Sequence, residues 1–240
     1  DRAGRARVFP LALGTAGGRA AAHYLLGMGH RRIAYISPYH DVAWSRTRLQ
    51  GLREAAAMCT PAAEIRAFTC EYTPTARTSP GSAQLQQMAR SLLASALPGP
   101  RSQRNLASFS VNRLAETIAR EAVSEGVRPA LQPLFEEALR KTGITAWVGA
   151  NDTVSSRALW FLRRARTPVP SRISVMGFDD SEEAFRQNLT SYNWNASGIM
   201  AAMVSHILDW RPSRSRAAST HPVEVEGFVT ERGSVARRRT

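Results

Sequence analysis

One stretch constrains the fold more than any other: residues 144–181, ITAWVGANDTVSSRALWFLRRARTPVPSRISVMGFDDS. Ile144 to Ala150 is apolar and rich in β-formers. Asn151-Asp152 then gives a polar turn and a helix start, with Asp152 the expected N-cap. Val154, Ala158, Phe161, Leu162 and Ala165 recur at helical spacing and are expected to face a sheet, with Arg157, Arg163 and Arg164 towards water. Pro168 and Pro170 stop the helix ahead of a strand from Arg172 to Phe178, which ends in Asp179-Asp180. Strand, helix and strand in so short a span make a βαβ unit, so its strands are expected to be parallel with a right-handed crossover. Both polar turns then follow the carboxyl end of a parallel strand. Ligands of open α/β sheets bind there.

The rest of the chain repeats this alternation. Gly14-Thr-Ala-Gly-Gly18 leads into a helix expected over Arg19 to Met28, closed by Gly29, and Arg32 to Ser37 reads as a strand. A loop from Pro38 to Ala43 precedes a helix over about Trp44 to Met58, with Leu49, Leu52 and Ala56 on one face, and then a strand over Ile65 to Cys70. Residues 71–128 fit least well. They hold two amphipathic candidates, Ala83 to Leu97 and Val111 to Val123, separated by an exposed loop, Pro98 to Arg104. A separate helix is expected from Pro133 to Lys141, since Pro suits a first helical turn. Past Ser181, Leu189 to Trp194 is extended, Ser197 to Trp210 is a helix, and Arg211 to Thr220 is a basic loop. Val223, Val225 and Val229 alternate with Glu224 and Glu226, which predicts a half-buried last strand at an edge. No internal repeat is present.

Composition narrows the function classes. With 240 residues, 16 Gly and 13 Pro, the chain can bury a core and is neither linker nor fibre. No apolar run approaches the roughly 20 residues of a membrane span. The opening DRAGRARV has no hydrophobic region, and Cys59 and Cys70 make no disulfide framework, so a cytoplasmic location is expected. The net charge of +13 is almost all Arg, with Lys141 the single Lys, and is spread along the chain apart from Arg163-Arg164 and Arg237 to Arg239. A bias towards Arg codons accounts for that pattern better than a phosphate-docking surface, which would bind with a steep salt dependence.

Three stretches carry a resemblance. They are GGRAAAHYLLGMGHRRIAYIS with RLQGLREA, then residues 144–181, then LTSYNWNASGIMAAMVSHIL with the terminal VEVEGFVTERGSVA. In that order they resemble the effector-binding part of LacI/GalR-type transcriptional regulators, over roughly 150 residues. The resemblance implies an α/β, parallel-sheet, periplasmic-binding-protein-like (type I) fold, mainly the C-terminal subdomain, with a largely helical insertion. The implied segments are a remnant of the N-terminal subdomain at 1–13, the effector-binding subdomain at 14–193 with its insertion at 71–128, a crossover helix at 194–210, and a loop, terminal strand and basic tail at 211–240. The crossover helix packs, in the family, into the N-terminal subdomain. The implied function is sensing of a small-molecule effector, a sugar or nucleoside-like compound, by a dimeric regulator whose helix-turn-helix, absent from this sequence, contacts operator DNA. No cofactor, metal, enzymatic activity or membrane partner is implied.

Carried over residue by residue, the ligand Arg of the Arg-Leu-x-Gly motif falls on Arg48, the ligand Asn on Asn151, and the hydroxyl-accepting carboxylate on Asp179. A guanidinium offers a planar fork of donors suited to vicinal hydroxyls, an amide both donates and accepts, and a carboxylate accepts. Asp180 is expected to order the following turn. Trp194 and Trp44 are candidate stacking faces for a sugar ring, against the commoner outcome of a packing Trp. Arg46 is a weaker candidate, since two residues from Arg48 it lies on another part of the helix surface. Leu13-Gly14-Thr15 stands where relatives carry Asp-Asn, which implies an altered ligand or a site that no longer binds.

Rival signals are thin. Gly14-x-x-Gly17-Gly18 could be a phosphate loop but lacks the Lys-Ser/Thr pair and the dinucleotide spacing. The five His are scattered, neither Cys pairs with a His at ligand spacing, and His30 reads as a packing or capping residue. No Gly-x-Ser-x-Gly elbow is present. Three alternatives remain open beside the regulator: an extracytoplasmic sugar-binding protein of a transporter, an enzyme on a similar scaffold, and a degenerate effector domain that only dimerises.

Overall fold

The computed structural model describes residues 14–72, 87–92, 108–208 and 225–238. Expectations for Phe9 to Leu13, the 98–104 and 211–220 loops, Trp210 and Val223 lie outside these residues. The chain divides into two compact units, one of Asp1–Cys70 with Leu134–Thr240, the other of Glu71–Pro133.

The first unit is a doubly wound sheet. Its elements are α1 (Thr15–Gly27), β1 (Arg32–Ser37), α2 (Ala43–Ala57), β2 (Glu64–Thr69), the last turns of α3 (Ser108–Arg140), β3 (Ala146–Gly149), α4 (Asp152–Arg164), β4 (Ser174–Phe178), α5 (Glu182–Arg186), β5 (Thr190–Asn193), α6 (Ala196–Leu208) and β6 (Phe228–Thr230). The strand order is β2-β1-β3-β4-β5-β6. β1 to β5 are parallel, and β6 closes the edge antiparallel to β5. The expected parallel pairing within residues 144–181 is therefore present, with Trp147 beside Val175 and Val148 beside Met176.

Both faces of the central strands are buried, as parallel sheets require. On one face Ile33, Tyr35, Val148, Met176 and Phe178 join Ala21, Leu25, Leu49 and Leu52 from α1 and α2 in a single core. On the other, Trp147 stacks on Phe135 of α3 and Phe161 of α4 at 5.8 and 6.2 Å. α4 buries Val154, Ala158, Phe161 and Leu162 as its spacing predicts, while Ala165 is exposed past the last turn.

Glycines set how closely α1 and α2 cross. A Cβ on Gly18 would fall onto the Arg48 carbonyl oxygen, and one on Gly51 onto that of Thr15. Gly17 and Gly18 lie inside α1, which starts four residues ahead of its expected position. The glycines read as a candidate phosphate loop are thus helix-packing residues.

Two expectations need correction. The helices expected to end by Val123 and to restart at Pro133 are one helix, α3, which runs through Pro129 and Pro133. Both prolines are exposed, so their rings lie on the side of the helix away from the core. The last strand holds only Phe228 to Thr230, which leaves Val225 outside it. In the second unit Ala89, from helical residues 87–92, is buried with Ala115 of α3. α6 buries none of its residues, and Met200, Val204, Ile207 and Leu208 are each more than half exposed.

Candidate functional site

In this strand order the chain reverses direction between β1 and β3, and the carboxyl ends of those strands flank the switch point where α/β sheets take ligands. Arg48 reaches that point from α2. Its side chain is only 5% exposed. Nη1 donates to the carbonyl of Ala150, just past β3, and Nη2 donates to Asp179 Oδ1 at 3.3 Å, just past β4. The guanidinium carbon lies 4.6 Å from the Trp44 ring, 4.7 Å from Trp194 and 4.8 Å from Phe178. Three aromatic faces thus box one cation, an arrangement that offsets part of its lost hydration. Burial pulls the Arg48 pKa below its ordinary value, and Asp179 is the main charge opposing that. The group stays protonated at physiological pH.

Asp179 is the half-open member of the pair, 43% exposed at its side chain. Its Oδ1 also accepts from the Trp194 indole Nε1 at 2.9 Å. Desolvation among these rings pushes its carboxyl pKa up, against the pull of Arg48 and Trp194. Its backbone is left-handed, φ 104°, a conformation rare outside glycine. Trp194 stacks on Phe178 at 5.9 Å and meets Tyr192 edge-on at 4.8 Å. A Cβ on Gly17 would press against its six-membered ring, so that glycine makes room for the indole. Trp44 leans on Tyr39 at 5.7 Å. Both tryptophans are only partly buried and present ring surface to the site.

In the first polar turn the capping role expected of Asp152 falls to Asn151. Asn151 is the N-cap of α4, its Oδ1 accepting from Val154 N at 3.0 Å. Only Asn151 has the extended backbone a cap needs, φ −154° and ψ 178°. Its amide Nδ2 has no hydrogen-bond partner among the described residues. Asp152, the expected cap, is instead 2% exposed. It accepts from Ser191 Oγ at 2.6 Å and from Ser181 N at 2.7 Å. Burial raises its pKa from 3.8 to about 6, with Asp179 adding to the rise and the two serines opposing it.

Asp180 does more than order its turn. It takes Arg232 Nη2 at 2.5 Å, Asn193 Nδ2 at 2.7 Å and Thr230 Oγ1 at 2.9 Å, which ties the end of β4 to β5 and to the chain around β6. Burial works to raise its pKa, but hydrogen bonds from Asn193, Arg232 and Thr230 win and hold it below the ordinary carboxylate value.

Of the sequence candidates, Arg48, Asp179, Trp194 and Trp44 come together, and Asn151 lies next to the Ala150 carbonyl that Arg48 holds. Arg46 does not join them. It is exposed and donates to the carbonyls of His40 and Asp41, so it fastens the loop ahead of α2. His30 is a buried packing residue, bonded to Thr145 Oγ1 at 2.9 Å and to the Ala236 carbonyl at 3.1 Å, with its pKa lowered by burial. Sequence reasoning missed Phe178 and Ser191. Phe178 ends an apolar strand and reads as core, which it also is. Ser191 carries no motif, and only the strand pairing puts it beside Asp152. Among the described residues no three His, Cys, Asp or Glu side chains are grouped to hold a metal, and no helix is long and apolar enough to cross a membrane.

Comparison with known proteins bears on the fold. A model of the periplasmic binding protein-like domain matches residues 101–235. No curated protein matches the chain. A LacI transcriptional regulator from a Rhodococcus species is similar in structure at 19% identity and a TM-score of 0.56, over 93% of this chain and 62% of that one. The sugar-binding transcriptional regulator of the LacI family from Escherichia coli, complexed with phosphate, gives 18% and 0.55 over 96% and 63%. The LacI family transcriptional regulator from Enterococcus faecium with bound ribose gives 15% and 0.52 over 94% and 64%. At these identities the likeness is one of fold, and the chain spans less than two thirds of the length of each.

Proposed function

Because the chain belongs to the periplasmic binding protein-like domain family, we propose that it is the ligand-sensing domain of a LacI-type transcriptional regulator that binds a sugar at the Arg48–Asp179 end of its sheet. The observation that carries this reading is the pairing of a buried guanidinium with a half-exposed carboxylate at the switch point, within a box of aromatic rings. Sugars need that combination: ring faces for their apolar C–H surface, and charged groups for hydroxyls that would otherwise be buried unpaired. Asp179 accepts hydroxyl hydrogens through Oδ2, Asn151 donates through Nδ2, and Trp194 and Trp44 supply the faces. Arg48 acts chiefly by fixing Asp179 and the Ala150 carbonyl, since its own plane is stacked over.

In the intact regulator, the sugar would control operator binding only as far as its affinity differs between two arrangements of the protein. The exposed apolar side of α6 supports a role as the docking face for a neighbouring subdomain in that protein. The bound ribose of the Enterococcus faecium regulator guides the choice of probe. Calorimetric titration with D-ribose, cellobiose and adenosine tests the reading. Saturable heat from one of them, weakened about tenfold in Asp179→Asn, is expected from the loss of one charge-assisted bond. No heat from any of the three would sink it.

A further inference from the structure

Three consecutive backbone N–H groups follow β4, and each is held by a different residue. Asp179 N donates to the Tyr192 carbonyl at 2.9 Å, Asp180 N to Ser191 Oγ at 3.0 Å, and Ser181 N to Asp152 Oδ2 at 2.7 Å. Asp152 meets this run twice, because Ser191 Oγ itself donates to Asp152 Oδ1 at 2.6 Å. The turn needs such a grip. Asp179 and Asp180 both have positive φ, 104° and 47°, and non-glycine residues keep such conformations only where their surroundings over-determine them.

The chain makes specific room for the acid that does this. Asp152 is 2% exposed, and a Cβ on Gly177 would overlap its Oδ1. A carboxylate in such a place is avoided unless its bonds do something no apolar residue could. Its two acceptors take one donor directly from the turn and one through a serine. The output of that turn is the aim of Asp179, whose Oδ1 meets both Arg48 Nη2 and Trp194 Nε1.

We propose that Asp152 is a positioning residue of the effector site, holding the β4–α5 turn through Ser181 N and Ser191 Oγ so that Asp179 points at Arg48 and Trp194. The proposal rests on the reading that Asp179 faces the effector, but its geometric content can be read without one. The Trp194 indole Nε1–H reports where Asp179 lies.

The test is an amide and indole nitrogen–proton NMR spectrum of the whole chain, with the Trp194 indole signal assigned by Trp194→Phe. Asp152→Ala and Ser191→Ala should each move that signal towards the free-indole position and speed its exchange with water, leaving the Trp147 indole on the opposite face unmoved. If Asp152→Ala fails to fold, Ser191→Ala, which removes only the relay, carries the test. A folded Ser191→Ala with the Trp194 signal and its exchange rate unchanged overturns the proposal. Adding D-ribose to the same samples separates the two ideas. A spectrum indifferent to ribose counts against the sugar reading, while the indole shift in the variants still decides the role of Asp152.

Discussion

The turns after β3 and β4 look alike as sequence, Asn151-Asp152 and Asp179-Asp180, yet the fold uses them in opposite ways. In the first the leading residue is extended and caps a helix, and the second is driven into the interior. In the second turn both residues are left-handed, the leading one is half open, and the following one is tied into the sheet edge. The difference lies in what comes next. A long helix starts immediately after Asn151, so its side chain meets orphan N–H groups. Asp180 separates Asp179 from the cap of α5, which is Ser181, so Asp179 is spared for other partners. Position after a parallel strand marks where a ligand can sit, and local capping decides which residue remains to meet it.

The contrast can be broken at each residue. Asp180→Ala should have the largest effect, about 3 kcal/mol of lost stability in a urea titration, because Arg232, with its side chain 13% exposed, loses its partner. The Asp152 carboxyl should come next, and as a pH effect. Its rise from 3.8 to about 6 means that the folded chain keeps this proton to higher pH than the unfolded chain does. Its contribution is fully present below about pH 4 and is lost, by roughly 3 kcal/mol in all, as pH rises through 6. Asp152→Asn should flatten that slope. Asp180 has the opposite sign: its folded pKa is depressed, so its contribution is present above the ordinary carboxylate range and is lost as pH falls through the folded value. Two carboxylates in adjoining turns should thus tilt the stability curve in opposite directions, in separate pH windows, which unfolding across pH 3 to 7 would resolve.

Asn151 gives a smaller effect. Asn151→Ala should cost about 1 kcal/mol as a lost N-cap, and Asn151→Ser should restore it, since Ser caps as well. Only the amide distinguishes the two residues as ligand donors, so a stable Asn151→Ser that binds sugar as well as the parent would remove Asn151 from the site. A change of similar size belongs to Asp179→Asn, about 1 kcal/mol: buried Arg48 loses its counter-charge, but Asn keeps an acceptor and tolerates positive φ.

Much of this was legible in the sequence, for reasons that differ by element. The βαβ unit could be read because apolar period, polar turn and Pro stop all agree over residues 144–181. Arg48, Asp179 and Trp194 came from family positions and Trp44 from its place at the start of the Arg48 helix, and the fold brings them together. The roles within Asn151-Asp152 could not be read, since Asn and Asp cap equally well and only backbone angles and Ser181 and Ser191 separate them. Arg46 was out of place for a reason visible only in space, the open carbonyls of His40 and Asp41. α3 defeated the Pro rule because its prolines face outward. α6 carries Ile and Met at helical spacing, which the resemblance assigns to packing into another subdomain, and it buries none of its own residues.

The central claim is that Asp179, fixed by Arg48 and Trp194, is the carboxylate that meets a sugar. Calorimetric titration of D-ribose into the parent chain and into Asp179→Asn addresses it most directly. The account predicts saturable binding in the parent and an affinity about tenfold weaker in the variant, which stays folded. Equal affinity in both proteins would contradict it.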